Sequence, residues 1–432
     1  MHHHVILGAG PAGVIAAETL RKHAPGDRIT LVGEEREAPY SRMAIPYLLI
    51  GNIGEEGTLL RKSARHYSDL RIETVQARAT AVDVKAKAVK LDNGNTLAFD
   101  TLLVATGSTP VSAPIPGIQL PGVHSCWTLA DARAIQGRAA KGARVLQMGA
   151  GFIGCIILEA LAARGVQLSV VEMGDRMVPR MMGPAAGGMI KQWVESKGVT
   201  VYTGTKVESI AQGQGQTLDV KLSNGKTLNV DLVISATGVK PAIGFLEGSG
   251  VKCLLGVLTD EHMQSNVPGI YAAGDCAEAF DKISGQAIVS AIQPNAAEQA
   301  RVAAINMALQ NRPGQRAVLH GVTQINVLDT LGLISTSFGH WQGVSGGQKA
   351  ELTDAANWRH LNLQFKDDVL VGCNSVGWTE HVGVMRGLVE DQVKLGSWKD
   401  ALLKDPTQLV PAYLASAQAQ GLWNGPGDER RR

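Results

Sequence analysis

The chain has 432 residues, which is long enough for two or three domains with separate hydrophobic cores. Its formal net charge is only +2, and lysine and arginine are spread along the chain, which argues against a nucleic-acid-binding surface. The longest apolar run, residues 153–161, is too short for a membrane span and is interrupted by Glu159.

Cysteine usage and the N-terminus predict a cytoplasmic protein. The five cysteines are scattered without a CxxC pair, as is typical of a reducing compartment. The first strand is predicted to begin at Val5, which leaves no room for a cleavable signal peptide. His2, His3 and His4 precede it. A metal site is one interpretation of these histidines, and an incidental cluster or cloning remnant is the favoured one.

A nucleotide-binding loop is predicted at residues 5–13. Its apolar start is typical of a buried parallel strand, and an apolar helical pattern follows the glycines. Gly8 makes the tight turn, Gly10 lets the backbone approach a pyrophosphate, and Gly13 lets helix and strand pack closely. The free N–H groups at the helix start favour phosphate. The predicted loop residues are Gly8, Gly10, Pro11, Ala12 and Gly13.

Two acidic residues follow the second predicted strand, residues 29–32. Glu34 and Glu35 lie where such a fold places an acid that binds a ribose hydroxyl group. A glycine motif alone often marks only a tight turn. The full order of strand, glycines, helix, strand and acid therefore favours a nucleotide site.

A proline-containing loop, residues 38–47, comes next. Arg42 in this loop has a guanidinium group shaped to bind a phosphate, and the alternative is a surface connection. A small antiparallel excursion is predicted over residues 72–99. The following strand ends in small residues, as if a ligand lay against it; these are Ala105, Thr106 and Gly107.

The glycine motif then recurs after a second apolar strand, residues 144–148. Glu172 ends the next strand, where its carboxylate would accept a bond from the adenosine ribose of NAD and repel the extra phosphate of NADP. Arg176 lies nearby and leaves NADP(H) open. Two complete motifs imply two dinucleotides. The residues predicted to bind the second one are Gly149, Gly151, Phe152, Ile153, Gly154 and Glu172.

The whole nucleotide-binding unit is duplicated. Residues 201–230 repeat the antiparallel excursion, and the strand after them again ends in Ala-Thr-Gly, at Gly238. A later strand delivers Gly274 and Asp275 at its carboxyl end, the side on which open α/β sheets bind ligands. Asp275 has a second interpretation as the N-cap of an alanine-rich helix that would follow it.

The composition changes from about residue 320. Strand-like runs alternate with turns, and two amphipathic helices precede a charged tail, residues 421–432, that we expect to be disordered. This pattern predicts a sheet-plus-helix domain with an interface role.

These motifs, in this order, resemble the FAD- and NAD-dependent pyridine nucleotide–disulfide oxidoreductase superfamily over residues 4–310. The C-terminal third looks like the dimerisation domain of NADH oxidases, NADH peroxidases and coenzyme A disulfide reductases, which implies a homodimer. The resemblance places FAD on the first glycine motif and NAD(P)H on the second. It implies that Asp275 bonds the ribityl chain of FAD and that Ala79 contacts adenine through its backbone.

Two residues depart from the family pattern. Met43 stands where single-cysteine relatives carry the redox thiol before a Gly-Leu-Pro-Tyr run, and a thioether cannot form a thiolate or a disulfide. Ile156 stands where many relatives carry a glutamate near the contact between flavin and nicotinamide. The catalytic side chains are therefore left unassigned, with the flavin itself as the reactive group.

The other cysteines do not restore a dithiol. Cys155 and Cys276 are predicted to pack as small apolar residues, and Cys373 is the one candidate thiol in the C-terminal domain. His381 and Tyr413 are candidates to approach a flavin in a partner subunit, as C-terminal aromatic residues do in some relatives. Core or interface packing is the favoured interpretation for both.

The predicted fold class is α/β, with two Rossmann-like three-layer nucleotide-binding domains, the NAD domain inserted in the FAD domain, and a C-terminal α+β interface domain. The predicted boundaries give the FAD domain residues 1–113 and 247–318. The NAD domain takes residues 114–246, and the interface domain takes residues 319–420.

The predicted function is an NADH-dependent flavoprotein reductase that serves a protein electron carrier or a partner redox subunit. An oxidase or peroxidase that uses oxygen species directly is the nearest alternative. A third is a sensing protein in which bound NADH controls assembly, as in relatives of apoptosis-inducing factor. The predicted partners are NADH and an electron acceptor, without nucleic acid or membrane span.

Overall fold

A computed structural model describes residues 1–310, 314–321 and 325–419. These residues form an α/β fold, which confirms the predicted class. The helices are α1 (Pro11–His23), α2 (Ile45–Ile50), α3 (His66–Asp69), α4 (Leu129–Arg138), α5 (Phe152–Ala163), α6 (Pro184–Ser196), α7 (Gln293–Ala308), α8 (Val382–Glu390), α9 (Trp398–Lys404) and α10 (Leu409–Ala419).

The strands of the first half are β1 (His3–Leu7), β2 (Arg28–Gly33), β3 (Ile72–Gln76), β4 (Ala79–Asp83), β5 (Ala88–Leu91), β6 (Thr96–Ala98), β7 (Thr101–Val104), β8 (Ser108–Pro110), β9 (Val123–Ser125), β10 (Arg144–Met148), β11 (Gln167–Val171), β12 (Thr200–Tyr202) and β13 (Val207–Gln212). Those of the second half are β14 (Leu218–Leu222), β15 (Thr227–Val230), β16 (Leu232–Ser235), β17 (Val239–Pro241), β18 (Val257–Leu258), β19 (Ile270–Ala272), β20 (Ala277–Phe280), β21 (Ala287–Val289), β22 (Ile325–Thr330), β23 (Leu333–Gly339), β24 (Gln348–Asp354), β25 (Arg359–Lys366) and β26 (Val369–Val376).

One compact unit contains residues 1–111, 127–133 and 239–323. Its main sheet is parallel, in the order β19-β7-β1-β2-β3, and its central strands are buried on both faces. Helices α1 and α7 pack against each other and against this sheet, while β4 and β5 share its hydrophobic core. All strands of the parallel sheet end on the same side, so their carboxyl ends converge on one edge.

The other compact unit contains residues 112–126, 134–238 and 324–432. It holds a second parallel sheet, in the order β12-β11-β10-β16-β9, with a small antiparallel sheet of β13, β14 and β15 in its core. A five-stranded antiparallel sheet, in the order β22-β23-β26-β25-β24, follows, and α8 packs on β23 and β26. The predicted domain boundaries at residues 113, 246, 318 and 420 stay a prediction.

Four local expectations need correction. The first strand starts at His3, and His4 is 1% exposed, with ring nitrogens bonded to Thr101 Oγ1 at 2.6 Å and Asp27 Oδ2 at 3.1 Å. The histidines are therefore part of the fold and not an incidental cluster. The loop at residues 38–47 ends in α2, whose first turn contains a proline. The proline is tolerated there because N–H groups of the first turn have no partner within the helix.

The other two corrections concern segments later in the chain. Strand β20, and not a helix, follows Asp275, so this residue is not a helix N-cap. Up to residue 419, where the described residues end, three helices follow the antiparallel sheet where two were expected. The tail, residues 421–432, lies outside the described residues. Among the described residues, no helix is both long enough and apolar enough to cross a membrane.

Candidate functional site

The first glycine loop has one tightly packed side and one open side. A Cβ atom on Gly8, which has φ of +111°, would lie 2.0 Å from Ala105 O, and a Cβ atom on Gly13 would lie 1.8 Å from Gly8 O. A Cβ atom on Gly10 would meet nothing within 4 Å. Gly8 and Gly13 are therefore glycines because protein backbone approaches them. Gly10 leaves an open cradle, as a bound pyrophosphate requires.

The start of α1 fits an anion. Gly10 is the N-cap residue of α1. No side chain caps the N–H groups at this end of the helix, and the first turn carries no acidic residue. Pro11 occupies the first turn, where its missing N–H group costs nothing. The remaining N–H groups and the helix dipole are available to a phosphate at the position the sequence predicts.

Glu35 is held by protein side chains. Its Oε1 accepts a hydrogen bond from Arg42 Nη2 at 2.9 Å, and its Oε2 accepts one from the hydroxyl group of Tyr40. Burial, followed by this bond to Glu35, raises the pKa of Tyr40 well above its usual value. Glu34 is far more exposed, with Oε1 at 3.9 Å from Arg78 Nε. Glu34 therefore has the more exposed carboxylate of the two, and ribose binding by either acid stays a prediction.

Arg42 has protein partners on three sides. Besides Glu35, its Nη1 donates to Ser108 O at 3.2 Å, and its guanidinium carbon lies 5.1 Å from the centre of the Trp127 ring. Trp127 Nε1 donates to the same Ser108 oxygen at 3.0 Å. The side chain is therefore fixed in place, and phosphate binding by Arg42 stays a prediction.

Ala79 and the small residues after β7, which are Ala105, Thr106 and Gly107, lie at the same end of the parallel sheet as the glycine loop. Ala77 N bonds Gly33 O at 2.9 Å, which holds the chain just before Ala79 against the end of β2. Thr106 Oγ1 donates to Ala242 O at 2.8 Å. The predicted adenine and flavin contacts thus lie along one edge, although their contacts with FAD stay predictions.

Asp275 also lies at this edge, directly after β19. Its Oδ2 accepts a hydrogen bond of 2.9 Å from the Ser108 hydroxyl group, and burial raises its pKa. Gln299 of α7 accepts the N–H group of Gly274 at 2.8 Å. Its own Nε2 is fully buried and has no hydrogen-bond partner among the described residues. An unpaired buried donor beside this segment fits a site that a polar cofactor completes.

The second glycine loop repeats this geometry. A Cβ atom on Gly149, which has φ of +97°, would lie 2.4 Å from Ala236 O, and one on Gly154 would lie 2.5 Å from Gly149 O. A Cβ atom on Gly151 would meet nothing within 4 Å, and Gly151 caps α5 without a side-chain bond. Phe152 and Ile153 form the first turn of α5. Gly238, past the end of β16, likewise has open space where a Cβ atom would stand.

Glu172, directly after β11, contacts the second loop through its carboxylate. Its Oε2 accepts from Ala150 N at 2.8 Å and its Oε1 from Gly174 N at 2.7 Å. Arg176 turns away toward its own segment, where it donates to Met182 O at 2.8 Å and pairs with Asp175 at 2.7 Å. The acid that sequence analysis assigns to a ribose is therefore at the glycine loop, and the nearby cation is engaged elsewhere.

Comparison with known proteins assigns the family. The family model described as Pyridine nucleotide-disulphide oxidoreductase matches residues 2–308. The chain belongs to this family. It is accordingly an FAD-dependent NAD(P)H oxidoreductase, and the predicted superfamily and cofactors are confirmed.

Relatives of this oxidoreductase include proteins that match most of its length. The epsilon subunit of an NADH-dependent phenylglyoxylate dehydrogenase from Aromatoleum evansii is 30% identical over 93% of this chain and 95% of the relative. An NADH oxidase from Methanocaldococcus jannaschii is 32% identical over 86% and 87%. The crystal structure of a ferredoxin reductase from Rhodopseudomonas palustris superimposes with a TM-score of 0.83 at 25% identity, covering 96% of this chain and 100% of that one.

Three of the five thiols of this oxidoreductase are poorly placed for redox chemistry. Met43 is 54% exposed on a short 3₁₀ turn, Arg42–Ala44, and its equivalence to the cysteine of relatives stays a prediction. Cys155, Cys276 and Cys373 are fully buried. Burial raises the pKa of each, for Cys155 to about 12, which suppresses the thiolate form.

The remaining candidates lie in or beside the C-terminal helices. His381 is the N-cap residue of α8 and accepts the N–H group of Met385 through its carbonyl oxygen. Tyr413 is partly buried in α10. Their approach to a partner's flavin stays a prediction. The described residues contain no group of three or more His, Cys, Asp or Glu side chains that could hold a metal ion.

One residue that contacts the second loop escaped the sequence analysis of this oxidoreductase. Gln147 is fully buried in β10, and its Nε2 donates to Gly149 O and to Gly154 O, both at 2.9 Å. These carbonyl groups belong to the first and last glycines of the second loop. The available signal was a polar residue among the apolar residues that end the strand, at the position that Ile6 occupies in the first unit.

Proposed function

We propose that this enzyme transfers electrons from NADH through FAD to a protein electron carrier or a partner redox subunit, without a redox-active cysteine. The observation that carries the proposal is Met43 at the cysteine position, combined with full burial of Cys155, Cys276 and Cys373. In this proposal no thiol relays the electrons, which leave the flavin directly for an external acceptor.

FAD, when bound, supplies the chemistry of accepting hydride and releasing electrons. The chain supplies binding and orientation. The open cradle at Gly10 and the N-terminus of α1 would hold the pyrophosphate, and Glu34 would hold the ribose. Asp275, fixed by Ser108, would bond the ribityl chain and set the position of the ring system along the edge of the sheet.

NADH, and not NADPH, is the proposed electron donor. Glu172 places a carboxylate beside the second loop, where it would bind ribose hydroxyl groups and repel a 2′-phosphate. Arg176 is the only cation that sequence analysis offered to bind that phosphate, and its guanidinium is bonded to Met182 O and Asp175. Charge and geometry therefore support NADH as the donor in this proposal.

A protein acceptor is supported by the relatives' names. The relative from Aromatoleum evansii is a subunit of a larger NADH-dependent dehydrogenase, and it aligns over nearly the full length of both chains. The structure from Rhodopseudomonas palustris is a ferredoxin reductase. Direct oxygen reduction is a second candidate, which the NADH oxidase from Methanocaldococcus jannaschii favours.

Steady-state turnover separates the two candidates. FAD-loaded enzyme is supplied with saturating NADH and with ferricyanide, an iron–sulfur ferredoxin or air as the acceptor. We expect fast reduction of ferricyanide and ferredoxin with slow oxygen consumption. Oxygen consumption as fast as ferricyanide reduction would establish the oxidase instead. Sedimentation equilibrium of the same preparation tests the predicted homodimer.

A further inference from the structure

Gln147 is an unusual residue for its place in the fold. It lies in β10, the centre of the second parallel sheet, with Val170 and Ile234 as its register partners on the two neighbouring strands. Its side chain is fully buried. A primary amide in such a position is costly to desolvate unless hydrogen bonds compensate.

The amide nitrogen of Gln147 makes those bonds to the glycine loop. It donates to Gly149 O and Gly154 O, each at 2.9 Å, so one side chain ties the tight turn to the first turn of α5. Oε1 is buried and has no partner among the described residues. The reverse amide orientation would set an oxygen against two carbonyl oxygens, so the loop fixes the side chain as a donor.

The first unit builds the same loop without this clamp. Ile6 occupies the matching position, two residues before the first glycine, and is also fully buried. The Cβ of Gly13 would still lie only 1.8 Å from Gly8 O, so helix and turn approach as closely there as in the second unit. The clamp is therefore not needed to form the loop.

We infer that Gln147 is a positioning residue that holds the second loop in its binding conformation while no nucleotide is bound. This inference rests on the proposed function, in which FAD remains bound but NADH leaves after every turnover. A permanent cofactor supports its own loop, whereas an exchanging one needs a loop that is already ordered. Gln147 lies beneath the loop, so its effect on NADH acts through Gly149 and Gly154.

Gln147→Met tests the clamp, because it keeps the length of the side chain and removes both hydrogen bonds. By calorimetry on the FAD-loaded enzyme, ADP-ribose and NAD⁺ should bind about 5- to 10-fold more weakly, which corresponds to about 1–1.4 kcal/mol. The KM for NADH should rise by a similar factor while kcat with ferricyanide is retained. Leu146→Met, a buried change on the same strand, should leave both affinities as they are in the wild type.

Hydrogen exchange supplies a readout that needs no turnover. In nucleotide-free Gln147→Met enzyme, amides of residues 149–154 should exchange faster than in the wild type, and saturating NAD⁺ should remove most of the difference. In the nucleotide-free wild type, this loop should be as protected as the FAD-loaded loop at residues 8–13. A wild-type loop that exchanges freely until NAD⁺ binds would overturn the inference, even if the variant fails to fold.

Unchanged affinity for ADP-ribose in Gln147→Met, with normal binding by the wild type, would also overturn the clamp and leave the proposed function intact. A wild type that binds neither ADP-ribose nor NADH would refute the proposed function together with the clamp. The two failures are therefore distinguishable.

Discussion

The hydroxyl group of Ser108 donates a 2.9 Å hydrogen bond to Oδ2 of Asp275, although 167 positions separate the two residues in the chain. Asp275 follows β19, and Ser108 begins β8 shortly after β7, the neighbour of β19 in the parallel sheet. The bond fixes a partly buried carboxyl group at the edge of the sheet where FAD is predicted to bind. Burial raises the pKa of that group.

Asp275→Asn should separate stability from flavin binding. Below the ordinary carboxyl pKa of about 4, Asp275 is protonated in both folded and unfolded states and costs nothing. As pH rises through its raised folded-state pKa, the folded protein must release that proton and loses stability. FAD-free Asp275→Asn should therefore melt above FAD-free wild type at pH 7.

The difference in melting temperature should shrink toward pH 4, while the purified variant retains less FAD. Melting curves of both apoproteins across pH and the flavin content of the purified proteins provide the measurement. Ser108→Ala is the companion variant, and it should lower flavin retention less than Asp275→Asn does. If FAD-free wild type melts above FAD-free Asp275→Asn at pH 7, burial of the Asp275 carboxylate does not destabilise the protein as we expect.

Gly10→Val should remove FAD without unfolding the chain. A Cβ atom at Gly10 meets no protein atom within 4 Å, so the apoprotein accommodates the side chain, which then fills the pyrophosphate's place. The variant should purify colourless with a circular dichroism spectrum like that of FAD-free wild type. Gly8→Ala should behave differently, because its Cβ would clash with Ala105 O at 2.0 Å and destabilise the fold itself.

Gly151→Val is the matched variant in the second loop. The space at Gly151 is as open as that at Gly10, and both residues cap a helix in nearly the same backbone conformation. The variant should stay yellow and lose NADH binding, which equilibrium titration with ADP-ribose measures. Loss of FAD from Gly151→Val, with FAD retained in Gly10→Val, would reverse the assignment of the two cofactors.

Glu172→Gln should weaken the preference for NADH. Removal of one negative charge beside the 2′-phosphate position commonly changes discrimination by about 1–3 kcal/mol, or roughly ten- to a hundredfold. The ratio of kcat/KM for NADH to that for NADPH, in both proteins, measures it. Arg176→Ala is the control and should leave the ratio unchanged, because its guanidinium is bonded to Met182 O and Asp175. A wild-type preference for NADPH would contradict the role that we assign to Glu172.

Sequence alone predicted the parts of this fold that local geometry dictates. Gly8 and Gly149 each have a positive φ and a backbone neighbour too close to admit a Cβ atom. Both conditions restrict the position to glycine, so the sequence shows a glycine directly after each strand. The order of strands, helices and acids around each loop followed from the same pattern. The α/β class and the cofactors were therefore readable from the chain.

Side-chain contacts and strand pairing were not readable in this way. Glu35 and Glu34 are equivalent as sequence, and only the partners Tyr40 and Arg42 show that Glu35 is engaged. Asp275 was given a second interpretation as a helix N-cap because alanines follow it, yet pairing with β18 and β21 makes that segment a strand. In each case, tertiary contacts decided between local options that propensity left equal.

Anaerobic titration tests the central claim, that electrons pass through the flavin without a thiol partner, most directly. Met43 stands at the position predicted for the family's cysteine, and Cys155, Cys276 and Cys373 are fully buried, so we expect each chain to store two electrons. One equivalent of NADH or dithionite per FAD should bleach the flavin completely, with no earlier long-wavelength band from a thiolate, and alkylation should leave NADH-to-dye turnover intact. Uptake of a second equivalent before full bleaching, or loss of turnover on alkylation of Cys373, would contradict the account.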